Sequence, residues 1–240
     1  MSLCMVHIEA VPRYLFEWGR SMEPNTNIML RDLGYLTHSA LRASLGDLAP
    51  QPFEVFPQAN GQKLKILGYT ESSLEDLQNN LAFLAEPLLL KTFIADHLYI
   101  KVLPAQWPEG KTFGFRVRCC PIVRKRDNEN KIIEKDAFLA ACERYNHEKL
   151  NREDVYVKWL FEQFARLGGA DLVEARVKGF RLIELRRRSK SYLNKIEYRP
   201  EVVFEGLVRV KQSKAFSSLL KRGIGRHRAF GFGALFLRST

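Results

Sequence analysis

The chain has no long hydrophobic run and no pattern typical of an export signal. Its most apolar stretch, Leu81 to Leu90, is interrupted by Glu86 and Pro87, whereas a membrane-spanning helix needs about 20 consecutive apolar residues. The N-terminus lacks a basic segment and carries Glu9 where a signal peptide would be apolar. We therefore expect no membrane segment, no export and a cytoplasmic location.

Cysteine is also scarce, with four residues in the chain: Cys4, Cys119, Cys120 and Cys142. This number is too small for a disulfide framework, and the adjacent pair has no partner pair at zinc-site spacing. No cluster of His, Asp and Glu stands at metal-ligand spacing either, so the sequence does not support metal-dependent hydrolysis. We expect reduced thiols and no cofactor.

What the chain does have is a globular composition and an uneven distribution of charge. Apolar residues make up 46% and charged residues 27% of the 240 positions, which excludes a disordered or collagen-like chain. Residues 1–110 hold 8 basic and 12 acidic side chains, whereas residues 111–240 hold 30 and 15. A net charge of −4 in one half and +15 in the other favours a polyanionic partner, above all a nucleic acid, for the second half. The plainer alternatives are a soluble protein that happens to be basic and one with an acidic protein partner.

Both halves present secondary-structure elements in the same order, on either side of a Pro/Gly-rich linker candidate at 104–110. In the first half, the sequence predicts strands over 3–9, 53–56, 63–69 and 98–103. It also predicts a helix over 33–45, which Asp32 caps and Gly46 ends, and a second helix that runs from Ser72 or Ser73 to 84. The second half predicts strands over 113–123, 172–188, 202–210 and 230–237, with helices over 155–167 and 213–220. A charged insertion over 124–152 carries a short helix near 137–145. We therefore predict an α+β fold of two tandem ferredoxin-like (RRM-like) βαββαβ domains, 1–103 and 111–240, the second with a helical insertion.

The segment GIGRHRAFGFG (223–233) is the least random part of the chain. Glycine allows backbone N–H groups to approach an anion closely, and flanking guanidinium groups add positive charge. The segment lacks the Gly-Lys-Ser/Thr that ends a Walker motif and the G-x-G-x-x-G spacing of dinucleotide-binding loops. We predict that it binds phosphate groups of the polyanionic partner, while a turn that only permits tight packing is the alternative. The residues concerned are Gly223, Gly225, Arg226, His227, Arg228, Gly231 and Gly233.

A second candidate lies on the first predicted helix, where Tyr35, His38 and Arg42 stand at i, i+3 and i+7. At about 100° per residue these side chains share one stripe, opposite Leu33 and Leu36. A tyrosine, a histidine and an arginine together form a set suited to proton transfer and anion stabilisation. A solvated helix face is the alternative.

Two basic groups in the second half are candidates for contacts along the phosphates of a nucleic acid, although a run of charge is often only a solvated face. The first group is Arg116, Arg118, Arg124, Lys125 and Arg126; the second is Arg186, Arg187, Arg188 and Lys190, which continues to Lys195 and Arg199.

Taken together, these residues resemble CasE, the family of CRISPR repeat-processing endoribonucleases of the Cascade complex within the RAMP superfamily. The resemblance rests on GYLTHSAL (34–41), LAPQPF (48–53), LGY (67–69), REDVYVKWL (152–160), FEGLVRV (204–210) and the glycine-rich segment. These motifs span both halves of the chain.

The resemblance implies a tandem ferredoxin-like enzyme that cuts precursor CRISPR RNA within its repeats, without a metal ion, and keeps the product for an effector complex. It assigns the catalytic histidine to His38 and the tyrosine before it to Tyr35. Many family members also use a lysine shortly after the histidine; that position is Ala43 here, and Arg42 is the nearest basic residue. The implied partners are a repeat hairpin and other subunits of the complex, and no membrane.

The expected chemistry follows from RNA itself, since its 2′-hydroxyl is a nucleophile held beside the phosphate. In-line attack gives a 2′,3′-cyclic phosphate and a 5′-hydroxyl. His38 can act as the base for the 2′-hydroxyl or as the acid for the leaving 5′-oxygen, and the sequence leaves both roles open. Two other functions also stay open: a non-catalytic RNA-binding subunit of a CRISPR complex and a double-stranded DNA binder.

Overall fold

The structure is a computed structural model that describes residues 2–22, 32–59, 61–126, 129–145, 149–186 and 196–239. The chain divides into two compact units. The first contains Met1–Gln106, Leu220–Gly223 and His227–Ala234, and the second contains Trp107–Leu219, Ile224–Arg226 and Leu235–Thr240. The glycine-rich segment is therefore shared between the units, and the domain limits 1–103 and 111–240 stay a prediction. Within the described residues, no helix has the length and apolar character needed to cross a membrane.

The first unit is built on four strands: β1 (Cys4–Ala10), β2 (Phe53–Pro57), β3 (Leu64–Thr70) and β4 (Phe93–Val102). They form an antiparallel sheet whose strand order is β2-β3-β1-β4. Alternation in β1 places Val6 and Ile8 in the core and turns His7 to the opposite face, because successive side chains of a strand point to opposite faces.

Four helices accompany this sheet: α1 (Pro12–Met22), α2 (Leu33–Leu45), α3 (Leu74–Leu84) and α4 (Pro87–Thr92). The predicted boundaries of α2 are confirmed, since the Asp32 side chain accepts a hydrogen bond at its start and Gly46 ends it at φ +59°. Ser73 caps α3 through a reciprocal bond with Asp76. The sequence analysis did not predict α1 or α4, which add to the helical layer.

The second unit repeats this arrangement with strands β5 (Thr112–Cys119), β8 (Ala170–Arg186), β9 (Ile196–Val210) and β10 (Leu235–Arg238). They form an antiparallel sheet in the order β10-β5-β9-β8. The main helices of this unit are α6 (Arg152–Leu167) and α7 (Ser213–Arg222). In both units the first and third strands of the βαββαβ order are central. The predicted tandem ferredoxin-like fold is confirmed.

The insertion of the second unit is a hairpin followed by a short helix. It consists of β6 (Ile122–Arg126), β7 (Ile132–Asp136) and α5 (Ala137–Arg144), and β6 and β7 form a separate two-stranded sheet. The helix was predicted, but the hairpin was not.

Several predicted strands have different boundaries in the structure. The strands predicted to start at 98 and 202 begin earlier, at Phe93 and Ile196. The strand predicted over 113–123 ends at Cys119, because Pro121 interrupts the chain before β6 begins. The strand predicted over 230–237 begins only at Leu235. A 3₁₀ turn spans Arg228–Phe230, and Gly231 and Gly233 have positive φ, which is incompatible with an extended strand.

The predicted linker is anchored to the second unit through Trp107. Its backbone N–H donates to the Ser213 hydroxyl at 2.8 Å, and its indole N–H donates to the Ser217 hydroxyl at 3.0 Å. The side chain is buried, so this part of the linker behaves as part of a packed domain.

Candidate functional site

Helix α2 presents the three predicted catalytic residues at different depths. Its apolar side packs into the core of the first unit through Leu36, Ala40 and Leu41. Tyr35 and His38 are half-buried at the edge of this packing, and Arg42 is exposed. The helix therefore holds the tyrosine and the histidine by packing and leaves the arginine in solvent.

The start of α2 packs against the glycine-rich segment. The Tyr35 ring stacks on the Phe230 ring with centroids 5.6 Å apart. At Gly34, a Cβ atom would lie 2.1 Å from the carbonyl oxygen of Phe230, so only glycine allows this approach. Helix α2 and the segment that contains Phe230 thus fix each other's position.

The His38 imidazole lies parallel to the Phe53 ring, with 6.5 Å between centroids and 9° between planes. Burial lowers the pKa of His38 below 6.5, and the positive charge of Arg42 lowers it further. The imidazole is therefore mainly neutral at neutral pH and is able to accept a proton. The sequence did not indicate Phe53 as a neighbour of His38.

Arg42 forms an ion pair with Asp47, with 2.7 Å between Nη2 and Oδ1. The side chains are 47% and 94% exposed, and such a solvated pair contributes little to stability. The guanidinium therefore remains able to exchange this partner for a phosphate. Asp47 follows the glycine that ends α2, and no feature of the sequence distinguished it.

The glycines of the 223–233 segment serve packing as well as backbone geometry. Gly223, Gly231 and Gly233 are buried and have φ of +72°, +78° and +84°. A Cβ at Gly223 would meet the Gly233 carbonyl oxygen at 2.7 Å and Pro52 at 2.8 Å. In the second unit, a Cβ at Gly225 would lie 3.0 Å from the Trp159 ring. The packing alternative is thus supported by geometry, and phosphate binding by these glycines stays a prediction.

The charged residues between these glycines have partners in their own units. Arg226 Nε lies 2.9 Å from the Glu134 carboxylate, which Arg124 also faces at 3.9 Å. His227 adopts φ +60° and meets the Phe230 ring edge-on. Arg228 donates to the Arg222 carbonyl. Arg226 remains exposed and Arg228 is half-buried, whereas the Nε2 atom of His227 is buried.

Arg118 differs from the other predicted RNA-binding cations because it takes part in a buried ion pair. Its Nη2 contacts Glu201, and the side chains are only 16% and 8% exposed. Arg181 also binds Glu201, at 2.6 Å. Burial raises the pKa of Glu201, but hydrogen bonds from Arg181 and the charge of Arg118 lower it below its usual value overall. The geometry favours a structural role for Arg118, and the sequence did not indicate Arg181 or Glu201.

Three of the remaining cations of the first basic group, Arg124, Lys125 and Arg126, lie on strand β6 of the hairpin. Lys125 Nζ is 2.5 Å from Glu143, which also contacts Lys135. These two ammonium groups hold the Glu143 pKa at about 2. Arg126 donates to the Asn130 side chain at 2.9 Å. Arg116, on β5, is half-buried.

The second basic group falls largely outside the described residues. Arg186 ends β8, and only its backbone is described. Arg187, Arg188 and Lys190 lie outside the described residues. Their RNA contacts stay a prediction. Over the described ranges, no group of three or more His, Cys, Asp and Glu side chains is arranged to hold a metal ion.

Comparison with solved structures finds several proteins that share this fold. A structure of the CRISPR endoribonuclease Cse3 bound to a 19-nucleotide RNA has a TM-score of 0.61 and 19% identity, covering 99% of this chain and 100% of that one. A structure of Thermus thermophilus Cse3 bound to an RNA representing a pre-cleavage complex has a TM-score of 0.59 and 16% identity. The match covers 99% of this chain and 100% of that one. A chain of a CRISPR RNA-guided surveillance complex, described as pre-nicking, has a TM-score of 0.58 and 16% identity. This match also covers 99% of this chain and 100% of that one.

At these identities the structural similarity shows the fold, and the family is shown by sequence. No curated protein matches the chain. A family model described as CRISPR associated protein matches residues 20–239. This match and the shared fold confirm the resemblance found in the sequence motifs. The chain therefore belongs to the family of CRISPR-associated proteins.

Proposed function

We propose that the protein is a metal-independent endoribonuclease that cleaves precursor CRISPR RNA within its repeats and keeps the product as part of an effector complex in the cytoplasm. The observation that carries this proposal is the position of His38. Its imidazole is half-buried at the edge of the packed surface of α2, and its lowered pKa keeps it neutral. Arg42 follows one helical turn later with an exposed guanidinium.

The proposed reaction begins at the 2′-hydroxyl before the scissile phosphate. His38 removes the 2′ proton, and the 2′-oxygen attacks phosphorus. The bond from phosphorus to the 5′-oxygen breaks as the cyclic phosphate forms, and the 5′-oxygen takes a proton from water. A base whose pKa lies below the working pH is unprotonated and therefore able to take up this proton. The lowered pKa of His38 thus favours the base role over the acid role.

Tyr35 and Arg42 have supporting roles in this mechanism. The Tyr35 ring is clamped against Phe230, so its hydroxyl is held in place to orient the reacting ribose or the imidazole. Arg42 neutralises the charge that develops on the phosphorane oxygens. An arginine remains protonated throughout the reaction. Arg42 therefore supplies the positive charge of the family's lysine, but it does not donate a proton.

RNA as the substrate is supported by charge and by the related structures. The net charge of residues 111–240 is +15, and a Cse3 structure of the same fold is bound to RNA. Retention of the product, with other subunits as partners, is supported by a chain of this fold in a CRISPR RNA-guided surveillance complex. The surface cations of the second unit would contact phosphates of a repeat hairpin.

The test is cleavage of the repeat RNA of the host's CRISPR array by the purified protein in EDTA. Cleavage that yields a cyclic phosphate, and stops when the scissile 2′-hydroxyl is replaced by hydrogen, supports the proposal. His38→Ala lowers the single-turnover rate by about 10²- to 10⁴-fold, whereas Ser39→Ala, one residue further along α2, leaves it within about twofold. Tight binding without cleavage would instead identify a non-catalytic RNA-binding subunit.

A further inference from the structure

A polar pocket lies where helix α2 ends, beyond the residues that the proposed reaction uses. Its volume is about 190 Å³, and its walls come from Leu3, the segment that follows α2, the end of β3 with the turn after it, and Lys221. These parts of the chain all belong to the first unit. Three of the lining side chains carry charge: Asp47, Glu71 and Lys221. We call this space the Asp47 pocket.

The Asp47 pocket adjoins the proposed catalytic residues through its own wall. Asp47 forms the ion pair with Arg42, with 2.7 Å between Oδ1 and Nη2. The segment that begins at Asp47 continues to Phe53, and the Phe53 ring lies parallel to the His38 imidazole. A phosphate bound at Arg42 would therefore lie beside the wall of the pocket.

Hydrogen bonds of the backbone hold the walls of the pocket in place. The Gln51 N–H donates to the Tyr69 carbonyl at 3.3 Å, and the Tyr69 N–H donates to the Pro52 carbonyl at 3.1 Å. The Ser72 N–H donates to the hydroxyl of the buried residue Thr70 at 3.1 Å. The pocket is therefore formed without a ligand, which reduces the ordering that binding would require.

The order of groups along α2 matches the order of reacting atoms along RNA. In the proposed reaction, His38 lies at the 2′-hydroxyl before the scissile phosphate and Arg42 lies at the phosphate itself. Arg42 follows His38 by four residues, or about 6 Å along the helix axis. The pocket follows Arg42 in the same direction, so it faces the nucleotide after the phosphate, which leaves with the 5′-oxygen.

The side chains of the pocket suit a nucleobase better than a second phosphate. Glu71 and Lys221 form an ion pair at 2.6 Å and are 39% and 57% exposed, so the pair is solvated and able to exchange partners. Carboxylates only accept hydrogen bonds and an ammonium only donates them, whereas the edge of a base presents both kinds of partner. Leu3 and Leu48 supply apolar contacts for the faces of a ring. With two carboxylates for one ammonium, the pocket disfavours an anion.

We propose that the Asp47 pocket binds the unpaired base of the nucleotide that follows the scissile phosphate. The proposal rests on the proposed function, because the reaction at His38 sets the direction of the RNA. Asp47 and Glu71 accept hydrogen bonds from N–H groups of the base, and Lys221 donates to one of its ring nitrogen or carbonyl oxygen atoms. Holding this base keeps the leaving 5′-oxygen in line with the attacking 2′-oxygen. The pocket therefore contributes to the cleavage rate and to the choice of the cut position.

The first test compares the repeat RNA of the host's CRISPR array with the same RNA lacking the base after the scissile phosphate. Wild type cleaves the abasic RNA about tenfold more slowly in single-turnover assays, since a hydrogen bond to a charged group is worth roughly that factor. Glu71→Ala with Lys221→Ala slows cleavage of the intact RNA about tenfold, and the two RNAs then react within about twofold of each other. Removing the base before the phosphate instead slows wild type and this variant by the same factor.

The second test does not require cleavage. 2-Aminopurine replaces the base after the scissile phosphate, and its fluorescence is measured in the complex with His38→Ala. Entry into the pocket takes this base out of the RNA stack, so its emission increases on binding. Adding Glu71→Ala and Lys221→Ala to His38→Ala removes the increase at saturating protein.

The matched control is Glu75→Ala with Lys91→Ala, which removes one exposed acidic and one exposed basic side chain from helices α3 and α4 of the same unit. This variant behaves as wild type in the first test, and its combination with His38→Ala keeps the increase in the second. Equal cleavage of intact and abasic RNA by wild type, or an increase in fluorescence that survives in the pocket variant, overturns the proposal. If wild type cleaves neither RNA, the proposed function fails and the fluorescence test alone decides on the pocket.

Discussion

The ring of Phe230 lies on the ring of Tyr35, with centroids 5.6 Å apart and planes inclined by 23°. The two residues are 195 positions apart, and the peptide of Phe230 also fills the space beside Gly34. The glycine-rich segment therefore positions the start of the helix that carries His38. This gives the segment a role in positioning the proposed catalytic residues, independent of any phosphate that it binds.

We expect Gly34→Ala to impair cleavage through this contact. The new Cβ would lie 2.1 Å from a backbone oxygen, so either α2 or the segment with Phe230 has to move. A displacement of about 1 Å in a catalytic group costs roughly 10²-fold in rate. Single-turnover cleavage should fall by about that factor, with a smaller change in hairpin affinity.

Gly179→Ala on β8 is the matched control, because a Cβ there would meet nothing within 4 Å. Alanine is also the better helix former by about 1 kcal/mol, so weaker helix propensity cannot explain a loss in Gly34→Ala. A Gly34→Ala protein that cleaves at the wild-type rate would contradict the positioning role.

The pH dependence of cleavage tests the base role of His38. Burial and the charge of Arg42 lower its pKa below 6.5, so the reactive neutral imidazole is lost only as the pH falls below that value. The single-turnover rate should rise with pH and level off, with its inflection below 6.5. A rate that falls as the pH rises through the same region would show that His38 acts as the acid.

Replacing Arg42 should move this inflection in a defined direction. Arg42→Ala removes a positive charge that disfavours the imidazolium, so the pKa of His38 rises and the inflection moves to higher pH. Arg42→Lys keeps a positive charge and should leave the inflection closer to its wild-type position. A fit of the rate against pH for the three proteins measures both shifts.

The sequence predicted those parts of the fold that depend on local patterns. Asp32 and Gly46 marked the ends of α2, and the alternation of residue types near the N-terminus indicated strand β1. The helix Pro12–Met22 was missed because its proline and Gly19 resemble chain breaks, although Trp18 and Gly19 are buried in it. The β6–β7 hairpin was missed because charged residues along its strands obscure the apolar period.

The candidate site was predictable only to the extent that it lies on one helix. Tyr35, His38 and Arg42 fall on one stripe because of helical periodicity. Their neighbours do not follow from spacing, since Phe230 and Phe53 come from distant segments. For the same reason, Arg118 was grouped with the RNA-binding cations, because the sequence does not show its pairing with Glu201, 83 positions away.

The ion pair of Arg118 and Glu201 predicts a loss of stability that is separable from RNA binding. Arg118→Met leaves the buried Glu201 carboxylate with Arg181 as its partner. Losing a buried, charged hydrogen bond costs about 2 kcal/mol in the free energy of unfolding, measured by urea denaturation. The effect on RNA affinity should be less than about twofold.

Arg181→Ala provides the comparison, because Arg181 binds the same carboxylate but its side chain is 68% exposed. We expect it to cost less than about 1 kcal/mol. A larger loss from Arg181→Ala than from Arg118→Met would show that Arg118 is not the main partner of Glu201.

The contribution of Arg186, Arg187 and Arg188 to RNA binding is measurable by salt titration, although Arg187 and Arg188 lie outside the described residues. Each phosphate contact releases about 0.7 to 0.9 counterion, so the triple alanine variant should flatten the slope of log affinity against log salt by about 2. Neutralising Arg13, Arg20 and Lys91 on helices α1 and α4 removes the same charge from the acidic half. That control variant should change the slope by less than about 0.5, because net charge alone does not release counterions at a contact. Equal slopes for the first variant and wild type would exclude these arginines from the RNA interface.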